Sequence, residues 1–275
     1  MKKQITKDIV STLDRLRKSK PLIHHLTNYV TVNDCANCVL AIGGSPIMAD
    51  ELEEMNDIVS IASALVLNIG TLNSRMLDSM EAAGHKARER GIPVVLDPVG
   101  AGASAYRTET AMRLIRETAP SVLRGNMSEI RCIAGLSAST KGVDASENDS
   151  FQTLEKGIET AAALARQLHC TVAITGVTDI LSDGTRTLTI ANGHARMSDI
   201  TGTGCMCTSL IGSFCGAAPD PFIAAAGGIL SMGIAGELAA ETAGGGNGSF
   251  RTALINQIGF MDGEIIQKKE KLHVY

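Results

Sequence analysis

The sequence predicts an α/β fold whose central, mostly parallel sheet is flanked by helices on both faces. Three observations carry that expectation. Short continuous runs of Val, Ile and Leu alternate with helix-length segments, the pattern of parallel strands covered on both sides. Near residue 180 the alternation gives way to a hairpin pattern, so one edge of the sheet turns antiparallel. The chain is 44% hydrophobic but only 3% aromatic and has no Trp. Ala, Gly, Ile and Leu must therefore build the core, which suits close packing of helices on a sheet.

The elements follow in order. MKKQITKDIVSTLDRLRKSK at 1–20 reads as a basic amphipathic helix and lacks the apolar core of a signal peptide. Cys35 and Cys38 form a C-x-x-C one helical turn apart. A zinc or redox pair needs two more ligands or a strand-to-helix context, so core packing is favoured. His24 and His25 are adjacent and point to different sides, which favours hydrogen bonding near a pocket over a metal pair. Strands are expected at 64–69, 93–97, 121–124 and 171–175. Helices are expected at 74–90, 104–118 and 151–169, the last with Leu154, Ile158, Ala162 and Leu168 near helical spacing. The most polar stretch, 137–150, reads as an exposed loop or short helix. Segments 180–181 and 185–190 flank SDG at 182–184, a hairpin. Two helices follow, from 205 and from 221. The apolar run 222–236 is too short and too glycine-rich to span a bilayer and reads as a buried helix. GGGNG at 244–248 ends it and leads to a C-terminal helix; lining of a nucleobase site is its functional alternative. With no repeat or linker in view, the expectation is a single domain over 1–275. A domain of this length buries roughly 70–75% of its unfolded surface and needs no disulfide or structural metal.

Seven cysteines, an odd number scattered through apolar segments, point to a reduced, cytoplasmic setting. Cys207 and Cys215 are assigned to the core. A net charge of −4 without a basic stripe argues against a nucleic-acid partner, and no membrane partner is expected.

The chemistry gathers where strands end, because ligands of open α/β sheets bind beyond the carboxyl ends of the strands. Three such ends are polar: DPVG at 97–100, RGNMSE at 124–129, and Thr175-Gly176. The TGTG loop at 201–204 runs into a helix whose N-terminal amides and dipole would hold an anion. Asp97 and Glu129 near a phosphate-sized site suggest Mg2+, which takes one or two carboxylates plus phosphate oxygens. Arg124 would supply positive charge to a nucleotide. Together these point to phosphoryl transfer, and the absence of GxxxxGK[ST] excludes a P-loop enzyme. Each residue also has a plain structural reading: an Asx turn for Asp97, a first-turn helix carboxylate for Glu129, a surface ion pair for Arg124, a local hydrogen bond for Thr175. For Asn28 an ordinary turn competes with a place beside the substrate.

LDPVGAG at 96–102, LRGNMSEI at 123–130, AITG at 173–176 and DITGTGCM at 199–206 resemble the hydroxyethylthiazole kinase family of the ribokinase-like superfamily. HHLTNYVTVNDCAN at 24–37, GGSPIMA at 43–49 and GNGSFR at 246–251 extend the resemblance over nearly the whole chain. It implies a ribokinase-like fold and ATP-dependent phosphorylation of 4-methyl-5-(2-hydroxyethyl)thiazole, a thiamine salvage step. A homotrimer with active sites at subunit boundaries is implied as well. Position by position, the resemblance implies that Met48 and Gly202 touch the thiazole, with Asn28 beside them. Arg124, Thr175, Asn126, Thr203 and Gly204 bind ATP, Asp97 and Glu129 organise Mg2+, and Cys205 stands at the substrate hydroxyl. Many relatives in the superfamily carry Asp where this chain has Cys205. A helix N-terminus is expected to lower the thiol's pKa and make it a proton acceptor, although bound phosphates oppose a second anion.

The alternatives differ in chemistry. A nicotinamide oxidoreductase needs G-x-G-x-x-G after an early strand, whereas the GTG here comes late and lacks the third glycine. A nucleotide sensor would lose Asp97, Glu129 or Cys205, and all three are present. A cysteine hydrolase would turn over without ATP. Closer at hand is a kinase of another heterocycle, of the hydroxymethylpyrimidine or pyridoxine type.

Overall fold

The computed structural model describes residues 1–136 and 147–275, and the side chains of all of these but 147–152. Most of the polar stretch expected at 137–150 thus lies outside the described residues. Among the described residues nine strands form one sheet: β1 (Leu22–Leu26), β2 (Ser45–Ile47), β3 (Ala64–Asn68), β4 (Val94–Asp97), β5 (Val122–Asn126), β6 (Thr171–Thr175), β7 (Asp179–Ser182), β8 (Thr187–Ile190) and β9 (Leu272–Val274). Their order is β2-β1-β3-β4-β5-β6-β7-β8-β9. The first six run parallel, and β7, β8 and β9 add antiparallel neighbours.

Strand residues alternate between two cores, as a period of two requires. Val66, Val95, Val122 and Ala173 face one layer. That layer comprises α1 (Lys2–Ser19), α2 (Val32–Ile42), α8 (Thr203–Cys215), α9 (Pro221–Thr242), α10 (Asn247–Phe260) and α11 (Gly263–Lys269). Leu65, Leu67, Leu96, Leu123 and Val172 face the other, made of α3 (Met55–Ile61), α4 (Ser74–Arg90), α5 (Ala105–Thr118), α6 (Met127–Ile133) and α7 (Glu147–Leu168). The helices start where capping chemistry puts them. Asn73 and Ser104 accept backbone N–H groups at the heads of α4 and α5, and Asp220 with Pro221 opens α9. Although α9 is long and apolar enough to cross a membrane by length and composition, it is packed inside the protein, with 89% of its most apolar window buried.

The expected strands and helices are present within a few residues of their expected bounds. Helix α8 begins at Thr203 rather than at 205, because Gly202 already serves as its N-cap. Three strands and two short helices were not legible. β1 contains two histidines, β2 has three residues including an edge proline, and β9 also has three. The helices α3 and α11 span seven residues each, too few to show a period. All six parallel strands present their carboxyl ends to one rim, which collects Asn28, Met48, Asn68, Asp97, Asn126 and Thr175.

Candidate active site

Asp97, the last residue of β4, is fully buried. Its Oδ2 accepts hydrogen bonds from Thr208 Oγ1 at 2.7 Å, Asn68 Nδ2 at 3.0 Å and Arg124 Nη1 at 3.3 Å. Its Oδ1 is buried and has no partner among the described residues, which leaves lone pairs in a place where an unmet acceptor is costly. Arg124 on β5 also donates through Nη2 to Thr175 Oγ1. Burial alone would lower the guanidinium's pKa; Asp97, with Glu129 behind it, outweighs burial and raises it. Gly204 sits against this guanidinium: a Cβ there would meet Arg124 Nη1 at 2.8 Å. Glycine thus lets the head of α8 close onto the arginine.

Glu129 is placed differently from Asp97. Its Oε2 accepts the Asn126 N–H at 2.8 Å while Asn126 Oδ1 accepts the Glu129 N–H at 2.9 Å, a capping box on α6. Its Oε1 accepts the Gly100 N–H at 2.8 Å. Glu129 is therefore a strut between the β4 loop and α6, the plain reading weighed from the sequence. Burial raises its pKa, against the two backbone bonds.

Cys205 is the third residue of α8 and half-buried. Asn28 Nδ2 and Asn68 Nδ2 reach its Sγ at 3.2 and 3.3 Å. Backbone donors fix how both amides are turned. Asn28 Oδ1 accepts the Thr31 N–H, and Asn68 Oδ1 accepts the Gly70 N–H. Both NH2 groups consequently face the sulfur, and Asn28 also donates to Asn68 Oδ1. The expected lowering of the thiol pKa is reversed. Burial and then Asp97 raise it, and hydrogen bonds from Thr31, Asn68 and Asn28 offset this only in part. Gly202 has φ +85°, and a Cβ there would collide with Thr31 Cγ2 at 2.1 Å, so this turn needs glycine.

A cavity of about 780 Å³ opens beside this cluster. Arg124, Asn126, Thr175, Thr203 and Gly204, the five residues the resemblance assigns to ATP, all line it. Ile229, Met232 and Met197 supply its apolar wall. Cys205, Asn28, Gly202, Asp97 and Glu129 lie outside its lining, with Arg124 bridging cavity and Asp97. Met48 follows the end of β2 on the same rim, and no hydrogen bond joins it to the cluster. Nearby, His24 Nε2 lies 2.8 Å from the Ala49 carbonyl, and His25 Nδ1 lies 3.1 Å from that of Ile23. No cluster of three metal-ligating side chains occurs among the described residues.

Cys207 is buried in the core as expected and also touches the cavity, because α8 passes beneath it. The glycines at 244–248 do not line the cavity; Arg196 Nη2 instead donates to the Gly244 and Gly246 carbonyls, tying the head of α10 to the loop after β8. Cys35, Cys38 and Cys215 are buried in the core as expected. Sequence reasoning missed Asn68, Thr208 and Asp179 as site groups. Asn68 had a legible signal: it is the polar last residue of a buried run. Thr208, a lone hydroxyl inside an apolar helix, had none.

The family model "HK: Hydroxyethylthiazole kinase family" matches residues 13–264. A hydroxyethylthiazole kinase of Clostridium beijerinckii is 57% identical over 273 residues, covering 99% of each chain. One from Ruminiclostridium cellulolyticum is 55% identical and covers 98% of each. The solved hydroxyethylthiazole kinase protein of Pyrococcus horikoshii OT3 superposes with a TM-score of 0.89 at 36% identity, over 98% of this chain and 99% of that one. Pyridoxal kinase of Staphylococcus aureus, at 14% identity and a TM-score of 0.61 over 93% of this chain and 98% of that one, shares the fold.

Proposed function

Since this chain belongs to the hydroxyethylthiazole kinase family, we propose a division of labour along its rim for that family's reaction. The enzyme transfers a phosphoryl group from ATP to the hydroxyl of 4-methyl-5-(2-hydroxyethyl)thiazole. The cavity takes the nucleotide, its apolar wall meeting the base and its Arg124 end meeting the phosphates. The amides at the head of α8, around Thr203 and Gly204, receive charge developing on the migrating group. The thiazole alcohol lies on the Cys205 side, among Asn28, Gly202 and Met48.

Mg2+ suits a free carboxylate oxygen that the described residues leave in the cluster. Asp97 Oδ1 is buried, unpartnered and next to Arg124, and Mg2+ needs few protein ligands when phosphates and water complete its shell. Glu129, with both oxygens already accepting backbone N–H groups, would act through water. When bound, the ion neutralises phosphate charge.

Cys205 is a thiol at neutral pH, because burial and Asp97 oppose its ionisation. Two amide N–H groups and the Thr31 hydroxyl hold its sulfur in place, and the thiol is set beside the acceptor hydroxyl. The loose transition state of phosphoryl transfer asks little of a base, and orienting the hydroxyl is the larger part of this residue's work.

The observation that carries this assignment is one unbroken hydrogen-bonded chain, Thr175–Arg124–Asp97–Asn68–Cys205, running from the nucleotide cavity to the thiol. On the thiol side two large apolar residues stand in solvent: Tyr29 and Val30 are 77% and 57% exposed beside Asn28. That supports a homotrimer whose sites are completed by a neighbour. One continuous sheet supports a single domain over 1–275, and all seven cysteines being free supports a cytoplasmic setting. The test is ADP release with Mg·ATP and, in turn, the thiazole, hydroxymethylpyrimidine and pyridoxine alcohols. Release with the thiazole alcohol above the others is expected; none with the thiazole alcohol rejects the assignment.

A further inference from the structure

We propose that Asp179 accepts a hydrogen bond from a ribose hydroxyl of the nucleotide and thereby selects ribonucleotides. Asp179 is the first residue of β7 and is 8% exposed. Its Oδ1 accepts the Gly176 N–H at 2.9 Å, which braces the β6–β7 turn. Among the described residues no donor reaches its second oxygen, and the side chain lines the cavity. A turn brace needs one oxygen and no burial. A second acceptor, without a protein donor among the described residues and open to a ligand space, is placed to take a donor from the ligand.

Position decides which donor that is. Arg124 donates to Thr175, and Gly176, the next residue, donates to Asp179, so the carboxylate stands beside the Arg124 end of the cavity, with Ile190 of β8 paired across from it. A carboxylate next to the residues proposed for the phosphates, in a cavity that also carries Ile229 and Met232 for a base, fits the sugar of a nucleotide. Carboxylates that read a ribose diol are a recurring solution in α/β nucleotide sites. Asn192 cannot substitute, because its amide is spent on Glu237, the Lys269 carbonyl and the Lys271 N–H. Burial pushes the Asp179 carboxyl up to about 7, against the Gly176 bond and Arg124. A partly neutral carboxyl tolerates nearby phosphates and is a poor metal ligand.

The inference rests on the cavity being the nucleotide site, so the experiment separates the two. Steady-state rates on the thiazole alcohol are compared for ATP, 2′-deoxy-ATP, 3′-deoxy-ATP and purine riboside triphosphate, which lacks the 6-amino group. Wild type is expected to lose roughly tenfold or more in kcat/KM with one of the deoxy nucleotides, mainly through KM. Asp179→Ala is expected to lose a similar factor with ATP and to discriminate no further. Asp179→Asn keeps the Gly176 bond through its amide oxygen but offers an N–H where the hydroxyl must donate, so its discrimination shrinks too, apart from any effect on the turn. Equal use of all ribose forms by wild type, or equal losses on all of them in both variants, overturns the proposal. So does a loss of discrimination confined to purine riboside triphosphate, which would assign Asp179 to the base. Ala195→Trp places bulk at an exposed residue of the cavity mouth and is expected to raise KM for ATP. If it does so while ribose discrimination is absent, only the ribose assignment falls. If KM is unmoved, the nucleotide assignment of the cavity falls with it.

Discussion

The two halves of the rim are built on opposite plans. The half over β5 to β8 is a preformed hollow of about 780 Å³ in which an apolar patch of Ile229, Met232 and Met197 sits among polar groups such as Arg124, Asn126, Thr175 and Asp179. The half over β1 to β4 is organised differently. It is a wall of side chains whose hydrogen bonds run into one another: Thr31 and Gly70 orient two amides, the amides hold Cys205, and Asn68 passes on to Asp97. A cavity can bind a large flexible nucleotide by shape with a few fixed contacts. A small alcohol offers little surface, so its site must gain precision from rigid polar neighbours. Arg124 joins the plans, touching the cavity with one face and Asp97 with one N–H.

The contrast sharpens where the halves meet. Asp97→Asn keeps the shape but removes the charge opposite Arg124 and the free carboxylate oxygen. It is expected to give the largest effect, a fall in kcat of about 10²–10³-fold, the scale of a lost electrostatic stabiliser. Rates of ADP release over a Mg2+ titration measure it, and a near-normal kcat would show that the shared boundary is not where the chemistry is carried.

Next comes Cys205→Ala, which should slow turnover by less than the about 10²–10⁴-fold typical of a general base, with the KM for ATP unchanged. Cys205→Asp should keep or raise the rate, because a carboxylate also suits the two amide donors. A well-folded but inactive Asp variant would contradict the orienting role.

A smaller effect is a shift in titration. Burial and the Asp97 charge both disfavour the thiolate, so alkylation of Cys205 should reach half its maximal rate above the ordinary thiol range. Asp97→Asn removes one of the two causes and should move that midpoint down; a midpoint in wild type below the ordinary range would contradict both causes. The smallest effect expected is Met48→Ala, a rise of about tenfold or less in KM for the thiazole alcohol with the KM for ATP unmoved.

The rim from β4 to β6 was far more legible in the sequence than the rim over β1 and β2. β4, β5 and β6 are continuous apolar runs that end in Asp97, Arg124 and Thr175, and a strand with both faces buried announces itself by composition. TGTG announced the head of α8 through its glycines. The rim over β1 and β2 hides in short or mixed elements. β1 places two histidines in the interior, each with a ring nitrogen near a backbone carbonyl, and β2 has only three residues. Asn28 looks like a turn residue, and neither its side chain nor that of Asn68 carries a sign of which neighbour it will face. The thiol pKa was read in the wrong direction for a related reason. The helix N-terminus is visible in sequence, while the burial and the Asp97 charge that oppose it arise only when α8 packs beside β4.

The central claim is that Asn68 and Cys205 act as one unit linking the nucleotide end to the acceptor. A double-mutant cycle with Asn68→Leu and Cys205→Ala, read as kcat on the thiazole alcohol at saturating Mg·ATP, tests it most directly. The double variant should be no slower than the slower single variant. Losses that multiply would show that the two residues contribute independently and that the chain between them carries nothing.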